Sequence, residues 1–440
     1  MTAREAWAAE IAARWRVETA SGVVVYPGRA AVEAMENLGA EMAGARRLLV
    51  DAAAAYERQD WSALAAALAR VNVEIAARLP AVRRGEPETW ADYRARTPAG
   101  ARPRAASPSG LPADYVDRVR GAWLGKCIGT ALGDPVEGWT SEAIRRAHGE
   151  VTGYLVPPKV ENDDTAYPIL VLHALDERGA EFTSADLAFE WVSHLPLAFT
   201  AEWSAIENVK AGTLPPESRW ARNPCGAWVG GQMRTEIHGL LAPLDPETAA
   251  ELAFRDAVIS HYREGMDGAI YAAVLTSLAF SGRPIAALLR EGLRFVRADG
   301  AFARIVESTL DACRRHGEWR GVLAELRPRL DEYHWIHTIP NIACAVAGLT
   351  LGEGDFERSI LTTLWCGYDT DCSTGQTAAL LGCLLGASRL PEKWTAPIGR
   401  RFQSYVVGFE EVDFDRLVAW TAGWAGRLAA GADAKKGGAA

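Results

Sequence analysis

The chain has 440 residues and a mass of 47.5 kDa, a length that suits two or three domains or one large domain with an extension. Hydrophobic residues make up 49% and charged residues 23%, a balance typical of globular proteins that excludes a disordered or fibrous chain. The formal net charge is -9, whereas nucleic-acid-binding proteins usually carry a basic surplus, so we expect no nucleic-acid partner.

The cysteines and the apolar segments bear on the cellular setting. Seven cysteines, an odd number with no CxxC pair, favour neither a disulfide framework nor a zinc ribbon. The N-terminal segment lacks the apolar core of a signal peptide, and no apolar run approaches the roughly 18 residues that span a bilayer. We therefore expect a cytoplasmic protein with no membrane partner.

The first part of the chain is predicted to be helical. Two Ala-rich segments, 30–59 and 60–79, place apolar residues at three- and four-residue spacing, and Asp60 stands where a helix N-cap is expected. We predict a helical N-terminal extension over 1–96 that packs on the main body, with a separate partner-binding module as the alternative. These helices are expected to mediate oligomer or partner contacts.

The remainder of the chain also has helical periodicity. A stretch rich in Pro, Gly, Ala and Ser, 97–113, is predicted to be a linker, and only 22–26 and 153–157 look like short strands. Nearly every segment of 114–428 has helical period, and Gly ends many of them. We predict an all-α fold: a compact multi-helix bundle over 114–428 behind the helical extension, followed by a disordered low-complexity tail over 429–440.

One glycine-rich helix leads into an acidic loop. In GAWLGKCIGTALGDPVEGWT, the residues Gly125, Gly129 and Gly133 share one helix face and are followed by Glu137. A glycine face for tight helix packing and an ordinary polar loop is the plain interpretation. The functional interpretation makes Glu137 a catalytic or substrate-orienting acid.

Two further acidic segments each precede an apolar helix. They are ENDDT, 161–165, and DTDCST, 369–374. Helix capping explains one acid in each segment but not two. If the segments meet in space, four carboxylates repel unless cations lie between them, and hard divalent ions such as Mg²⁺ or Mn²⁺ take such oxygen ligands. Zinc is disfavoured, because no His or Cys set shows the spacing of zinc ligands.

These segments, in this order, resemble the ADP-ribosylglycohydrolase superfamily, whose fold is that of the dinitrogenase reductase-activating glycohydrolases. The resemblance rests on GTALGDPVEG, ENDDT and GYDTDCS, supported by VGGQMRTEIHGL and SHYREGMDGA, and covers roughly 115–390. The E-N-D-D-T and D-T-D-C forms are similar to a divergent bacterial subgroup. Asn162 and Cys372 stand where Thr or Ser is usual; Asn keeps a carbonyl ligand, and Ser373 is the expected substitute for Cys372.

The resemblance implies roles for individual residues. It implies two ions, Mg²⁺ or Mn²⁺, held by Asn162, Asp163, Asp164, Asp369, Asp371 and Ser373. It implies catalytic roles for Glu137, Asp163 and Asp164. Substrate contacts are expected from Asn223, Gly230, Gly231, Gln232, Arg234, His261 and His337, with Asn341 as a weaker candidate beside the site. Structural roles remain open for several of these, above all a salt bridge for Arg234 and a hydrogen-bonded core position for His261.

The implied function is a metal-dependent glycohydrolase that cleaves an N- or O-glycosidic bond of an ADP-ribosyl or other ribosyl substrate. Either a small molecule or an ADP-ribosylated partner is an expected substrate. The alternatives are a different reaction on a ribosyl metabolite and a non-catalytic ADP-ribose-binding protein. A terpene synthase is disfavoured because 163–167 lacks the third acid of a DDxxD motif. A haloacid-dehalogenase-type phosphatase is disfavoured because no strand is predicted before the D-x-D.

Overall fold

The computed structural model describes residues 1–98 and 110–437, and it confirms the all-α class. Its strands are two short antiparallel pairs, Val17–Glu18 with Val24–Val25 and Arg401–Gln403 with Glu411–Asp413. The predicted strand at 22–26 is present only as Val24–Val25. The predicted strand at 153–157 is wrong, since this segment is irregular, with bends at 153 and 155–157. Pro157 and Pro158 offer no backbone donor there, and Tyr154 instead donates its hydroxyl to the carbonyl of Trp394 at 2.9 Å.

The N-terminal extension is a helical unit that includes one hairpin. Its elements are α1 Ala3–Trp15, β1 Val17–Glu18, β2 Val24–Val25, α2 Pro27–Asn37, α3 Ala43–Glu57, α4 Trp61–Arg83 and α5 Trp90–Arg94. Asp60 caps α4 as predicted, because its side chain accepts a hydrogen bond from the Ala63 amide at 3.0 Å. The apolar faces of α1 to α4 pack around Val32, Met35 and Leu64.

The extension packs on the main body and reaches the acidic loop. Trp220 and Tyr262 of the main body join the apolar core of the extension and stack on each other, with ring centroids 4.2 Å apart. In the hairpin, Ser21 donates its hydroxyl to the Glu137 carbonyl at 2.6 Å, and its own carbonyl accepts from the Trp139 indole at 3.0 Å. The extension therefore supports the loop that carries Glu137.

The main body is a bundle of helices around one large apolar core. Its α-helices are α6 Tyr115–Gly133, α7 Ser141–His148, α8 Asp163–Arg178, α9 Ser184–His194, α10 Thr200–Lys210, α11 Gly230–Arg234, α12 Glu236–Leu241, α13 Pro246–Ala257, α14 Arg263–Ala279, α15 Ile285–Gly292, α16 Ala301–His316, α17 Trp319–Leu330, α18 Thr338–Gly352, α19 Phe356–Trp365, α20 Thr370–Leu385, α21 Glu392–Ile398 and α22 Phe414–Gly437. The strands are β3 Arg401–Gln403 and β4 Glu411–Asp413. Short 3₁₀ turns cover Asp134–Val136, Glu217–Arg219, Leu293–Phe295 and Ala387–Arg389.

The pair α6 and α20 lies at the centre of the bundle. The glycine face of α6 meets the backbone of α20 at close range, at the pairs Gly121 with Gly382, Gly125 with Ala378, Gly129 with Thr374 and Gly133 with Thr370. A Cβ atom at any of these four glycines would lie closer than 3.0 Å to backbone atoms of its partner. This contact brings the end of α6, which leads to Glu137, against the start of α20, which carries the D-x-D.

The predicted domain limits stay predictions. Residues 99–109 of the predicted linker 97–113 lie outside the described residues, as do the last three residues of the predicted tail 429–440. The final helix continues past 428 to Gly437. Over the described ranges, no helix is both long enough and apolar enough to cross a membrane.

Candidate active site

Two loops bring Glu137 and Asp369 side by side. The amide of Gly138 donates to the Tyr368 carbonyl at 2.8 Å, and the amide of Tyr368 donates to the Trp139 carbonyl at 3.1 Å. Tyr368 has φ 65° and follows Gly367 at φ 81°, a left-handed pair that turns the chain sharply into α20. The loops after α6 and before α20 are thereby joined through their backbones.

The start of α20 is fixed by its neighbours. Thr370 donates its hydroxyl to the Gly133 carbonyl at 2.8 Å, and the Asp369 amide donates to the Asn341 side-chain oxygen at 3.0 Å. Ser373 donates its hydroxyl to the carbonyl of Asp369 at 2.8 Å, a bond along the helix. The predicted metal-facing role of Ser373 stays a prediction, and this bond gives it no support.

The first turn of α8 joins the same centre. Asn162 caps α8, and its side-chain oxygen accepts from the Asp164 amide at 2.8 Å. Its amide group donates to Asp371 Oδ2 at 3.0 Å, although the two residues are 209 positions apart. Asp163 and Asp164 follow directly, and Asp164 is fully buried while Asp163 is half-buried. The two acidic segments therefore lie side by side, together with Glu137.

Two groups of side chains in this centre present ligand atoms close enough to share an ion. The oxygens of Glu137, Asp369 and Asp371 lie within 4.8 Å of one another, and so do the ligand atoms of Asp164, Asp371 and Cys372. Asp369 Oδ1 and Asp371 Oδ1 are buried and have no hydrogen-bond partner among the described residues. A buried carboxylate oxygen without a partner is costly, and a divalent cation satisfies it. The first group therefore fits Mg²⁺ or Mn²⁺.

Burial and mutual repulsion keep protons on these acids when no cation neutralises them. Burial, followed by repulsion from Asp371 and Asp163, raises the pKa of Glu137 to about 9. Burial and the charge of Asp164 raise the pKa of Asp371 to about 6. Burial and Asp371 hold the pKa of Asp369 well above its usual range. Cation binding must displace these protons, so metal affinity should rise with pH.

Lys126 is a member of this centre that was not predicted from the sequence. It lies on α6, is 4% exposed, and its ammonium nitrogen is 2.9 Å from Asp164 Oδ1. Burial alone would lower the pKa of Lys126, but attraction from Asp164 and Glu236 raises it above its ordinary value. A lysine between the small and apolar residues of GAWLGKCIG was the available signal, since a buried lysine needs an acidic partner.

Arg234 belongs to a buried network. Its guanidinium bonds Glu202 at 2.5 Å, Asp256 at 2.9 Å and Ser260 at 3.1 Å, and it is wholly buried. These partners occupy both terminal nitrogens and the ε nitrogen. Arg234 therefore forms the structural salt bridges that were the alternative to a substrate contact. The predicted substrate contact of Arg234 stays a prediction without support from these bonds.

His261 is hydrogen-bonded on both ring nitrogens. Its Nε2 accepts from the Gly231 amide at 3.0 Å, which leaves the proton on Nδ1 to be donated to Ser260 Oγ at 2.7 Å. Burial, together with the Arg234 charge, holds the pKa of His261 well below its ordinary value, so the ring is neutral. This arrangement matches the core-histidine alternative.

The other predicted substrate residues make local contacts. Gln232 donates to the Gln376 side-chain oxygen at 2.7 Å, and a Cβ at Gly230 would collide with Glu202. Asn223 donates to the Ser260 carbonyl at 2.8 Å, within the turn before α11. His337 caps α18 by accepting from the Ile339 amide at 3.1 Å. Their substrate roles stay predictions.

A further group lies apart from the acidic centre. His173 on α8 and His194 on α9 flank Glu190, with His173 Nδ1 2.7 Å from Glu190 Oε2. His173 is ten positions along α8 from Asp163, about 15 Å away along the helix axis. Hydrogen bonds within the group account for this arrangement.

Comparison with known proteins places the chain in context. The model of the ADP-ribosylglycohydrolase family matches residues 111–428. The chain is 23% identical over 313 residues to "Uncharacterized protein YegU" of Escherichia coli, covering 62% of this chain and 89% of that protein. It is 26% identical over 296 residues to an "Uncharacterized protein" of Archaeoglobus fulgidus, covering 63% and 90%. A solved structure titled "ADP-ribosylglycohydrolase-related protein complex" shares the fold, with a TM-score of 0.53, 22% identity, and coverage of 72% of this chain and 100% of that chain.

Proposed function

Because the chain belongs to the ADP-ribosylglycohydrolase family, we propose that it is a divalent-metal-dependent glycohydrolase that cleaves an N- or O-glycosidic bond of a ribosyl substrate. ADP-ribosyl compounds, free or attached to a protein, are the first substrate class to test. The observation that carries the metal dependence is the pair of buried, unpartnered oxygens Asp369 Oδ1 and Asp371 Oδ1 beside Glu137. The centre opens toward solvent on the side of the half-buried Glu137, Asp163 and Asn162.

In the proposed reaction, the carboxylates of Asp369 and Asp371 hold the cation. When bound, the ion supplies positive charge that orients sugar hydroxyls beside the anomeric carbon. Glycoside cleavage develops positive charge on that carbon, and the half-buried carboxylate of Asp163 is placed to stabilise it. A water molecule adds to the carbon as the bond to the leaving group breaks.

Glu137 is the proposed proton donor to the leaving group. Burial is the largest cause of its raised pKa, about 9 without a cation, and burial also favours the protonated form when Asp369 and Asp371 hold the cation. After the bond breaks, the Glu137 carboxylate takes the proton of the attacking water, which restores its starting state.

A carboxyl that binds the cation directly is ionised, so the two possible roles of Glu137 exclude each other. The substitution Glu137→Gln separates them, because the amide keeps the size of the side chain. If Glu137 is the proton donor, the Glu137→Gln variant should still bind Mn²⁺ and should lose at least 100-fold in turnover. This loss is in line with typical general acid contributions of about 10²–10⁴. Loss of Mn²⁺ binding in this variant would assign Glu137 as a ligand instead.

The function is tested by product release. The protein is incubated with Mg²⁺ or Mn²⁺ and with ADP-ribosyl-arginine, ADP-ribosyl-serine or an acyl ester of ADP-ribose, and free ADP-ribose is quantified by chromatography. We expect release from at least one substrate, abolished by a chelator and by Asp369→Asn. The exposed Asp311→Asn serves as the matched control that keeps wild-type activity. ADP-ribose binding without turnover of any ribosyl substrate would overturn the hydrolase proposal in favour of a binding protein.

A further inference from the structure

Lys126 is a buried lysine that lies among the acids of the candidate metal centre. The two ligand groups of the acidic centre share Asp371, so the side chains outline two adjacent cation positions. The first position lies between Glu137, Asp369 and Asp371. The second lies at Asp164, next to Cys372. The charged side chain of Lys126 reaches only the second of these.

The ammonium of Lys126 contacts three oxygen atoms. The ammonium nitrogen pairs with Asp164 Oδ1 at 2.9 Å, an ion pair rather than an aligned hydrogen bond, and donates to Glu236 Oε1 at 3.2 Å. It also donates to the carbonyl of Met233. The two hydrogen bonds and the ion pair place oxygens of Met233, Glu236 and Asp164 around the ammonium. The side chain is 5% exposed, so its ammonium is shielded from ions in the solvent.

The other oxygen of Asp164 is also engaged. The Cys372 thiol donates to Asp164 Oδ2 at 3.3 Å, and its sulfur lies 3.6 Å from the sulfur of Met233. A protonated thiol is a poor ligand for a hard cation. Asn162, the remaining oxygen donor nearby, uses its side-chain oxygen to accept from the Asp164 amide. Among the described residues, Asp164 Oδ1 has the ion pair with Lys126 and no hydrogen bond, and Asp164 Oδ2 has the Cys372 thiol, so both oxygens of Asp164 have a contact at this second position.

The first position is different in kind. Asp369 Oδ1 and Asp371 Oδ1 are buried without a hydrogen-bond partner in the described part of the chain, and no lysine or arginine pairs with either residue there. Asp369 Oδ1 and Asp371 Oδ1 thus have no positive charge beside them, whereas Asp164 Oδ1 already has the Lys126 ammonium. Two ions were expected from the sequence. The first position suits a divalent ion, and the second does not.

We propose that the centre binds one divalent cation, held by Asp369 and Asp371 beside Glu137, and that the Lys126 ammonium is a built-in cation at Asp164. This inference rests on the proposed metal centre and concerns its ion count. Lys126 acts as a positioning residue: it neutralises Asp164 and anchors the start of α8 to α6, which leaves Asp163 free to face the open side. The charge at Asp164 is then independent of metal supply.

The experiment counts ions without any substrate. The full chain is loaded with Mn²⁺, dialysed, and analysed by metal quantitation and by electron paramagnetic resonance. We expect one Mn²⁺ per chain and the six-line spectrum of an isolated ion. Two Mn²⁺ per chain with a spin-coupled spectrum overturns the inference. Turnover plays no part in this readout. An active protein with two ions refutes the inference and leaves the proposed function standing. An inactive protein with one ion supports the inference and refutes the proposed function.

Variants extend the test. Lys126→Met removes the charge and keeps the length of the side chain, so Asp164 and Glu236 become free to bind a second Mn²⁺, and the count should rise to two. A folded Lys126→Met protein that still binds one ion contradicts the role given to Lys126. Lys210→Met, which removes a surface lysine paired with Glu207, is the matched control and should stay at one. If Lys126→Met does not fold, the wild-type count alone decides.

Discussion

The glycine contact between α6 and α20 is expected to control both stability and metal affinity. Replacing Gly129 by Ala adds a Cβ that would lie closer than 3.0 Å to the carbonyl of Thr374 and to Gly375 Cα. These are backbone atoms, which cannot turn aside as a flexible side chain can. The two helices must therefore move apart, and the start of α20 moves with them.

The magnitude follows from two opposing contributions. Alanine is favoured over glycine in a helix interior by about 1 kcal/mol. Forcing a methyl group into a packed core costs typically about 1–3 kcal/mol, and contact with rigid backbone puts this site at the upper end. The net loss of unfolding free energy is about 2 kcal/mol, which corresponds to a fall in Tm of about 2 °C in a chain of this size.

A matched control is available in α22. Gly423 is an exposed helical glycine whose added Cβ would meet nothing within 4 Å. Gly423→Ala keeps the propensity gain without the clash, so it should stabilise the protein by about 1 kcal/mol. The two variants, which carry the same chemical change, should move Tm in opposite directions in a thermal melt followed by circular dichroism.

Metal affinity gives the second readout. Separation of α6 from α20 disturbs the start of α20, which carries Asp369 and Asp371 and is bonded to α6 through Thr370. Gly129→Ala should therefore weaken Mn²⁺ binding in isothermal titration calorimetry by at least 10-fold, a size typical of outer-shell disturbances. Gly423→Ala should bind as the wild type does. A Gly129→Ala protein with wild-type Tm and wild-type Mn²⁺ affinity would refute the packing argument.

Three further outcomes are expected. Asp371→Asn removes the ligand shared by both groups and should lower Mn²⁺ affinity at least 100-fold by calorimetry; affinity within a factor of three of the wild type would count against the assigned centre. Raised pKa values at Glu137 and Asp371 mean that the native chain holds more protons than the unfolded chain between pH 4 and 9, so the stability of chelator-treated protein should fall as pH rises through that window, whereas Mg²⁺ should offset the loss. Urea unfolding at several pH values measures this, and a metal-free stability that rises toward pH 9 would contradict it. Ser21→Ala removes the 2.6 Å bond to the Glu137 carbonyl and should cost about 1 kcal/mol of unfolding free energy; an unchanged urea midpoint would show that the hairpin does not support this loop.

Periodicity and local chemistry are what the sequence expresses directly. The three- and four-residue spacing of apolar residues predicted the helices, and Asp60 was identifiable as an N-cap because capping involves only the next three residues. The short apolar run at 153–157 resembles a strand in sequence but is irregular in the structure. Its Tyr154 bonds Trp394, which lies far along the chain. Local patterns carry no information about such distant partners.

The acidic segments show how far sequence reasoning extends into the site. ENDDT and DTDCST stood out because capping cannot account for adjacent acids, and the structure brings them into contact through the Asn162–Asp371 hydrogen bond at 3.0 Å. The orientation of individual side chains was not predictable. Ser373 bonds back along its own helix, and Arg234 is enclosed by Glu202 and Asp256 rather than facing the open side.

Sequence reasoning reaches the helical class, the glycine face of α6 and the set of acids, because each of these is a property of neighbouring residues. The packing of distant segments is needed to show which helix meets the glycine face and that Lys126 pairs with Asp164 at 2.9 Å. The physical reason is that the charge state of a buried acid depends on the groups around it in space. The net charge of -9 is a property of the whole chain, whereas the chemistry depends on a few buried acids and on Lys126, which lies among them.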